Sequence, residues 1–145
     1  EDLRPIILGI GNWGQRWVES RLSLRNLDPT LLMWDMRRNL STDPLPPRRC
    51  TIQFLYPELA TTHRNYWLVV ESGEVDLCYT DPGFDIDLLV TSSLRTMTSI
   101  WMGLARLDAE VRAGHVQLEG DPAIRRAMQH WLKLSTFAPV ERRVA

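Results

Sequence analysis

Apolar and polar positions along the chain follow a period that switches between two and about 3.6, and the switches divide it into elements. In 49–56, Cys50, Ile52, Phe54 and Tyr56 alternate with Arg49, Thr51, Gln53 and Leu55, the pattern of a strand with one buried face, and Pro57 ends it. Tyr66, Trp67, Leu68, Val69 and Val70 form a continuous apolar run, which predicts an interior strand covered on both sides. Glu71, Ser72, Gly73 and Glu74 make a tight turn, after which Val75, Leu77 and Tyr79 return on one face. Asp81, Pro82 and Gly83 connect onward. Ile86, Leu88 and Val90 then alternate with Asp85, Asp87 and Leu89 in a fourth strand that keeps both aspartates on its solvent face.

Beyond 90 the period lengthens. The hydroxyls of 91–93 offer an N-cap, and Leu94, Met97, Thr98, Trp101 and Leu104 share a helical face. Leu107 and Val111 continue apolar spacing in a second short helix that stops at Gly114. In 115–119, Val116 and Leu118 point inward from a fifth strand. Asp121 and Pro122 open a last helix over 122–132, with Ile124, Ala127, Met128, Trp131 and Leu132 inside. Two helices precede the sheet. One carries Leu3, Ile6, Ile7, Ile10, Trp13, Gly14 and Trp17 on one stripe, although its glycines weaken it by about 1 kcal/mol each. The other starts at Asp28 and Pro29, where Leu27 staples to Leu32, and lines Leu32, Met36 and Leu40 on one face. The stretch 41–47 is a stiff polar connection, and 135–145 has no period. The order predicts an α+β fold: a mostly antiparallel twisted sheet of about five strands with helices packed on it.

Composition adds little against this picture and removes some classes. The 145 residues are 44% apolar, enough for one core, and the net charge of −1 argues against an extended basic nucleic-acid surface. Sixteen of seventeen basic residues are arginine. No apolar run approaches the roughly 20 residues that cross a bilayer, so the expected setting is cytoplasmic with no membrane partner. Alternation puts Cys50 and Cys78 on different faces, which predicts two reduced thiols. Because the chain opens at Glu1 inside a helical stripe, it reads as part of a longer protein.

Two segments carry resemblances. RAGHVQLEGDPAIRRAMQHWL, a strand ending in a Gly-Asp turn before a closing helix, resembles the final module of sterol carrier protein 2-like domains. That resemblance implies a sheet and helices enclosing an apolar tunnel for a lipid or other apolar molecule. LRPIILGIGNWGQRW is similar to the last helix of the DNA-binding domain in HxlR-type winged helix regulators, some of which continue into such a domain. It implies that 1–24 is the remnant of a winged helix domain, with Ile6, Ile10, Trp13 and Trp17 in a homodimer interface, and that DNA is met only through a winged helix outside this sequence. It leaves 25–134 as the ligand-binding domain and 135–145 as a tail.

Chemistry at the polar residues is sparse. Asp85 and Asp87 have the spacing of an acid-base pair but take the side where charge is expected anyway. His63, His115 and His130 do not converge, no nucleophile elbow or His-x-x-x-His pair is present, and neither catalysis nor a metal is expected. Gly9, Gly11 and Gly14 match a dinucleotide fingerprint by spacing alone, with no strand before them, so no cofactor is expected. The candidate ligand pocket is apolar: Phe54, Trp67, Val69, Leu77, Tyr79, Leu88, Met97, Trp101, Met128 and Trp131, between the sheet and the helices 92–104 and 122–132. Taken singly, each is also an ordinary core residue. Arg95, Arg106, Arg125 and Arg126 offer a charged rim for a carboxylate or phosphate head group, and surface solubility explains them equally well. The expected role is effector sensing in a transcription regulator; a stand-alone lipid carrier and a dimerisation module with a filled pocket are the alternatives.

Overall fold

A computed structural model describes residues 27–132. The stripe of Ile6, Ile10, Trp13 and Trp17 and the 135–145 tail lie outside these residues. Helix α1 spans Pro29–Asn39, where the Asp28 carboxylate accepts from the amides of Thr30 (2.9 Å) and Leu31 (3.3 Å) and proline occupies the first turn. Strands β1 (Cys50–Leu55), β2 (Asn65–Glu71) and β3 (Glu74–Cys78) follow, with a 3₁₀ turn at Thr61–His63. Then come β4 (Leu88–Ser92), α2 (Leu94–Trp101), α3 (Leu107–Arg112), β5 (Val116–Gly120), α4 (Pro122–Arg126) and α5 (Met128–Trp131). Among the described residues no helix is long and apolar enough to cross a membrane.

The sheet has five strands in the order β3-β2-β1-β4-β5. Three ladders are antiparallel, and the central β1–β4 pair is parallel, so the sheet is mixed. That pair follows from β3 and β4 running the same way, which obliges 79–87 to cross back along the sheet before β4 begins. Within this crossing the Arg49 guanidinium lies 3.7 Å from the centroid of the Phe84 ring.

The fourth strand starts three residues later than its alternation predicts. Asp87 ends the ladder with its side chain: its carboxylate accepts from the Thr51 amide (2.8 Å) while its own amide donates to the Thr51 carbonyl (2.9 Å). Arg48 donates to the same carboxylate (2.9 Å) and also reaches Asp121 (3.4 Å), and the Asp87 carbonyl accepts from the Asp121 amide (2.8 Å). Asp87 therefore joins the starts of β1, β4 and α4 rather than facing open solvent, and Ile86, expected inward, is 37% exposed. Gly120 sits at this junction with φ +139, and a Cβ there would overlap the Asp87 carbonyl oxygen.

One face of the sheet carries Cys50, Ile52, Phe54, Leu68, Leu88 and Val90, all 0 to 1% exposed. Met33 and Met36 of α1, Met97 and Ile100 of α2, Ile124 of α4 and Met128 and Trp131 of α5 complete the same core. Each such side chain contributes about 1.5–3 kcal/mol when removed from water. The last helix is broken, against the single helix expected over 122–132. The buried Trp131 indole N–H donates to the Ile124 carbonyl (2.9 Å), the acceptor that an unbroken helix offers to the Met128 amide. Ala127 turns between the two halves, and the Trp131 carbonyl accepts from the Ser41 amide (2.9 Å), which ties 41–47 to the closing element. The two thiols are free, as alternation predicts.

Candidate functional site

The ten apolar residues expected to surround one space are distributed among four places. Phe54, Leu88, Met97, Met128 and Trp131 are interior, 0 to 1% exposed, and belong to the packed core. Trp67 and Val69 alternate with core residues along β2 and pair with Gln53 and Thr51, so they lie on the opposite face of the sheet. On β3, Leu77 packs partly against the core; Tyr79, just beyond it, is half exposed and meets Tyr66 edge-on at 5.9 Å. Trp101 faces α1, where its indole N–H donates to Asp35 (2.6 Å) and its ring walls a hollow of about 480 Å³ with Leu31, Trp34 and Met102. Alternation assigns a residue to a face; it does not record which helix stands opposite.

The structure brings together a different set. Short helix α3 has no buried residue, although Leu107 and Val111 are on it, and it lies beside β5. Between α3, Leu118 of β5 and the α4–α5 pair is a hollow of about 430 Å³, walled by Leu107, Val111 and Leu118 with Arg112, Arg125 and Arg126 around it. A second, of about 290 Å³, continues toward Ile100, Ala105 and Leu132. The two adjoin, with Leu107, Asp108 and Gln129 as shared walls, in one grooved region of the surface. Of the four arginines named from the sequence, Arg106, Arg125 and Arg126 line it, and Arg95 is exposed on α2 away from it. Leu107, Val111 and Leu118 were legible as apolar positions. Leu107 and Leu118 pack partly against the core and Val111 stays exposed, so the three present apolar surface to the hollow.

The polar groups are fixed by short-range contacts. Asp108 accepts from the Ala109 amide (2.9 Å) and lies 3.0 Å from Arg106 and 3.6 Å from Arg112. Desolvation pushes its carboxyl up, but the amide and the two guanidiniums outweigh this and hold it below the usual carboxylate range. At the far end of α3 the Glu110 carboxylate and His115 Nδ1 are 2.6 Å apart, and Gly114, at φ +83, makes the turn into β5. Among the described residues Arg125 and Arg126 have no carboxylate within 4.0 Å. No group of three or more His, Cys, Asp or Glu is placed to hold a metal among the described residues. The arrangement suits an amphipathic molecule: apolar walls to bury a chain, and guanidiniums at the mouth.

No protein-family model matches the chain, and no curated protein matches its sequence. Solved structures do resemble it. A double mutant of the sec-alkyl sulfatase PisA1 superposes with a TM-score of 0.62 at 18% identity, over 79% of this chain and 18% of that one. The stereoselective inverting sec-alkylsulfatase Pisa1 from Pseudomonas sp. gives 0.53 at 19% identity, over 68% of this chain and 15% of that one. The UbiJ-SCP2 ubiquinone synthesis protein also gives 0.53 at 19% identity, over 77% of this chain and 89% of that one. The chain spans less than a fifth of the alkylsulfatases it superposes on, and most of the UbiJ domain. Its fold is sterol carrier protein 2-like, α+β with a five-stranded mixed sheet.

Proposed function

With a sterol carrier protein 2-like fold as the starting point, we propose that the chain binds an amphipathic small molecule in the groove between α3, β5 and the α4–α5 pair, without chemical turnover. The observation that carries this is the pair of adjoining hollows with apolar walls, formed where Val111 of α3 is exposed and Leu107 and Leu118 are only partly buried. Buried apolar area supplies the binding energy at roughly 25 cal/mol per Å². The expected result is that a dansyl-labelled fatty acid gains fluorescence with the full chain. Val111→Trp, which fills the outer hollow from an exposed position, weakens that binding on the order of tenfold or more, a loss of about 1.4 kcal/mol or more. Binding that is unchanged in Val111→Trp would place the ligand elsewhere and remove the proposal.

The support for an effector-sensing domain of an HxlR-type transcription regulator, dimerised through Ile6, Ile10, Trp13 and Trp17, is the resemblance of LRPIILGIGNWGQRW. A stand-alone carrier uses the same groove. Control requires that the ligand favour one conformation over another, so release of the intact parent protein from its promoter DNA on adding ligand distinguishes the two.

A further inference from the structure

Helix α1 is apolar on two sides. Leu32, Met33 and Met36 are buried in the core. Leu27, just ahead of the helix, Leu31 and Trp34 follow one another at helical spacing on the other side, where Leu31 is 68% and Trp34 47% exposed. A surface helix needs one apolar stripe for its core, so the second asks for a partner. Its surroundings are firmly held. Asp35 joins α1 to α2 by accepting from the Trp101 indole (2.6 Å), and Asn39 donates to the Asp35 carbonyl (2.9 Å). The Arg37 guanidinium lies 5.2 Å from the centroid of the Trp34 ring and donates to the Val75 carbonyl (2.9 Å), so the cation beside the ring is itself anchored on β3. Leu31, Trp34, Trp101 and Met102 wall the hollow of about 480 Å³ between α1 and α2.

Leu27, the first described residue, is another of its walls, so residues 1–26 join the fold at its rim. Leu24, Leu22 and Val18 are the apolar residues nearest that point along the chain. An extended chain covers roughly 3.3 Å per residue and α1 is about 16 Å long, so Leu22 can reach any point along it. The stretch 133–145 leaves instead from Leu132, a wall of the other groove. Charge agrees with this choice: Asp28 and Asp35 stand against Arg38 around the hollow, and 16–25 carries Arg16, Arg21 and Arg25 against Glu19. A short tether also holds the chain's own segment at an effective concentration in the millimolar range, which a second copy must outcompete from solution. We propose that residues 18–24 fold back onto α1 of the same chain and dock Leu22 and Leu24 against Leu31, Trp34 and Met102, covering the hollow. This contact uses neither α3 nor β5 and is independent of the ligand groove.

The test is limited trypsin digestion of the full chain read by mass spectrometry, following cleavage after Arg21 and Arg25 with cleavage after Arg142 as the internal reference. Proteolysis tracks the population of the open form when opening is fast relative to cleavage. The double variant Leu31→Glu with Trp34→Glu, both at exposed positions, is expected to speed cleavage after Arg21 and Arg25 on the order of tenfold relative to Arg142. Leu22→Ser with Leu24→Ser should do the same from the other side of the contact, with α1 and α2 left as they are. In the unsubstituted chain the relative rate should stay constant as protein concentration is raised. Protection that grows with concentration, together with dimers in sedimentation, would assign the hollow to a second copy and overturn the fold-back. A relative rate that either double variant leaves unchanged would mean that 18–24 is not docked there, and would overturn it as well.

Discussion

Two tyrosines in the core set the response of the protein to alkali. Tyr56 is fully enclosed, its hydroxyl 3.2 Å from the Met33 sulfur, and burial, followed by the neighbouring Tyr66 and Glu58, pushes its ionisation far above the ordinary value near 10. Tyr66 is also raised, by burial first and by the neighbouring Asp28 and Tyr79, with the nearby Thr30 side chain acting in the lowering direction. A group whose folded value is raised keeps its proton in the native state while the unfolded chain has lost it. The native state then binds more protons, and stability falls as pH rises. The contribution is complete below the unfolded value near 10 and is lost above it. Urea unfolding is expected to show a flat midpoint from neutrality until the Cys50 thiol, also raised by burial, titrates in the unfolded chain at about pH 8.5, and a steeper decline above about pH 10. Tyr56→Phe should flatten that decline at a cost of about 1 kcal/mol or less at neutral pH, because only a weak hydrogen bond to sulfur is removed. An unchanged alkaline slope in the variant would assign the effect to other groups.

Among the elements, the β2–β3 hairpin shows how turn chemistry follows from the strands it joins. β2 ends at Glu71 and β3 starts at Glu74, leaving Ser72 and Gly73 as a two-residue loop, both with positive φ, at 55 and 78 degrees. This is the mirror-image turn whose twist matches that of paired strands. Glycine adopts it freely, and serine does so at a cost of about 1–2 kcal/mol. Ser72→Asn restores the preferred pair for the loop and should raise the thermal midpoint by about 2–4 °C, read by circular dichroism. A lowered midpoint would show that the serine hydroxyl makes up for the backbone. The α4–α5 break is an element-scale outcome of another kind. The apolar spacing of Ile124, Ala127, Met128 and Trp131 fits one helix, and the local pattern holds no sign that the Trp131 indole would take the Ile124 carbonyl. A long-range packing choice for a tryptophan overrode the helical hydrogen bond.

At the scale of the whole molecule, ligand binding and folding are linked, because the groove is assembled from α2, α3, β5, α4 and α5, which meet only in the folded chain. At a hundred times its dissociation constant, decanoate should stabilise the full chain by about 2.7 kcal/mol and raise its melting temperature by several degrees, and the weaker binding of Val111→Trp should cut that gain to about 1.4 kcal/mol or less. No shift at saturating decanoate would mean that the ligand does not select the folded state. Much of the architecture was legible before any coordinates. Periods of two over 49–56 and 3.6 over 94–101, the Asp28-Pro29 and Asp121-Pro122 starts, and Gly114 as a stop all follow from backbone chemistry within a few residues, and they gave α+β and the order of the elements. The site was not legible in the same way. A sequence determines that Phe54, Trp67, Met97, Leu107 and Val111 are apolar, since that property is local to each side chain. Only tertiary structure decides that Phe54 and Met97 are sealed inside, that Trp67 faces the other side of the sheet, and that Leu107 and Val111 border an open groove. Burial depends on residues brought from distant parts of the chain, and the central parallel pairing of β1 with β4 that arranges them has no counterpart in the spacing along it.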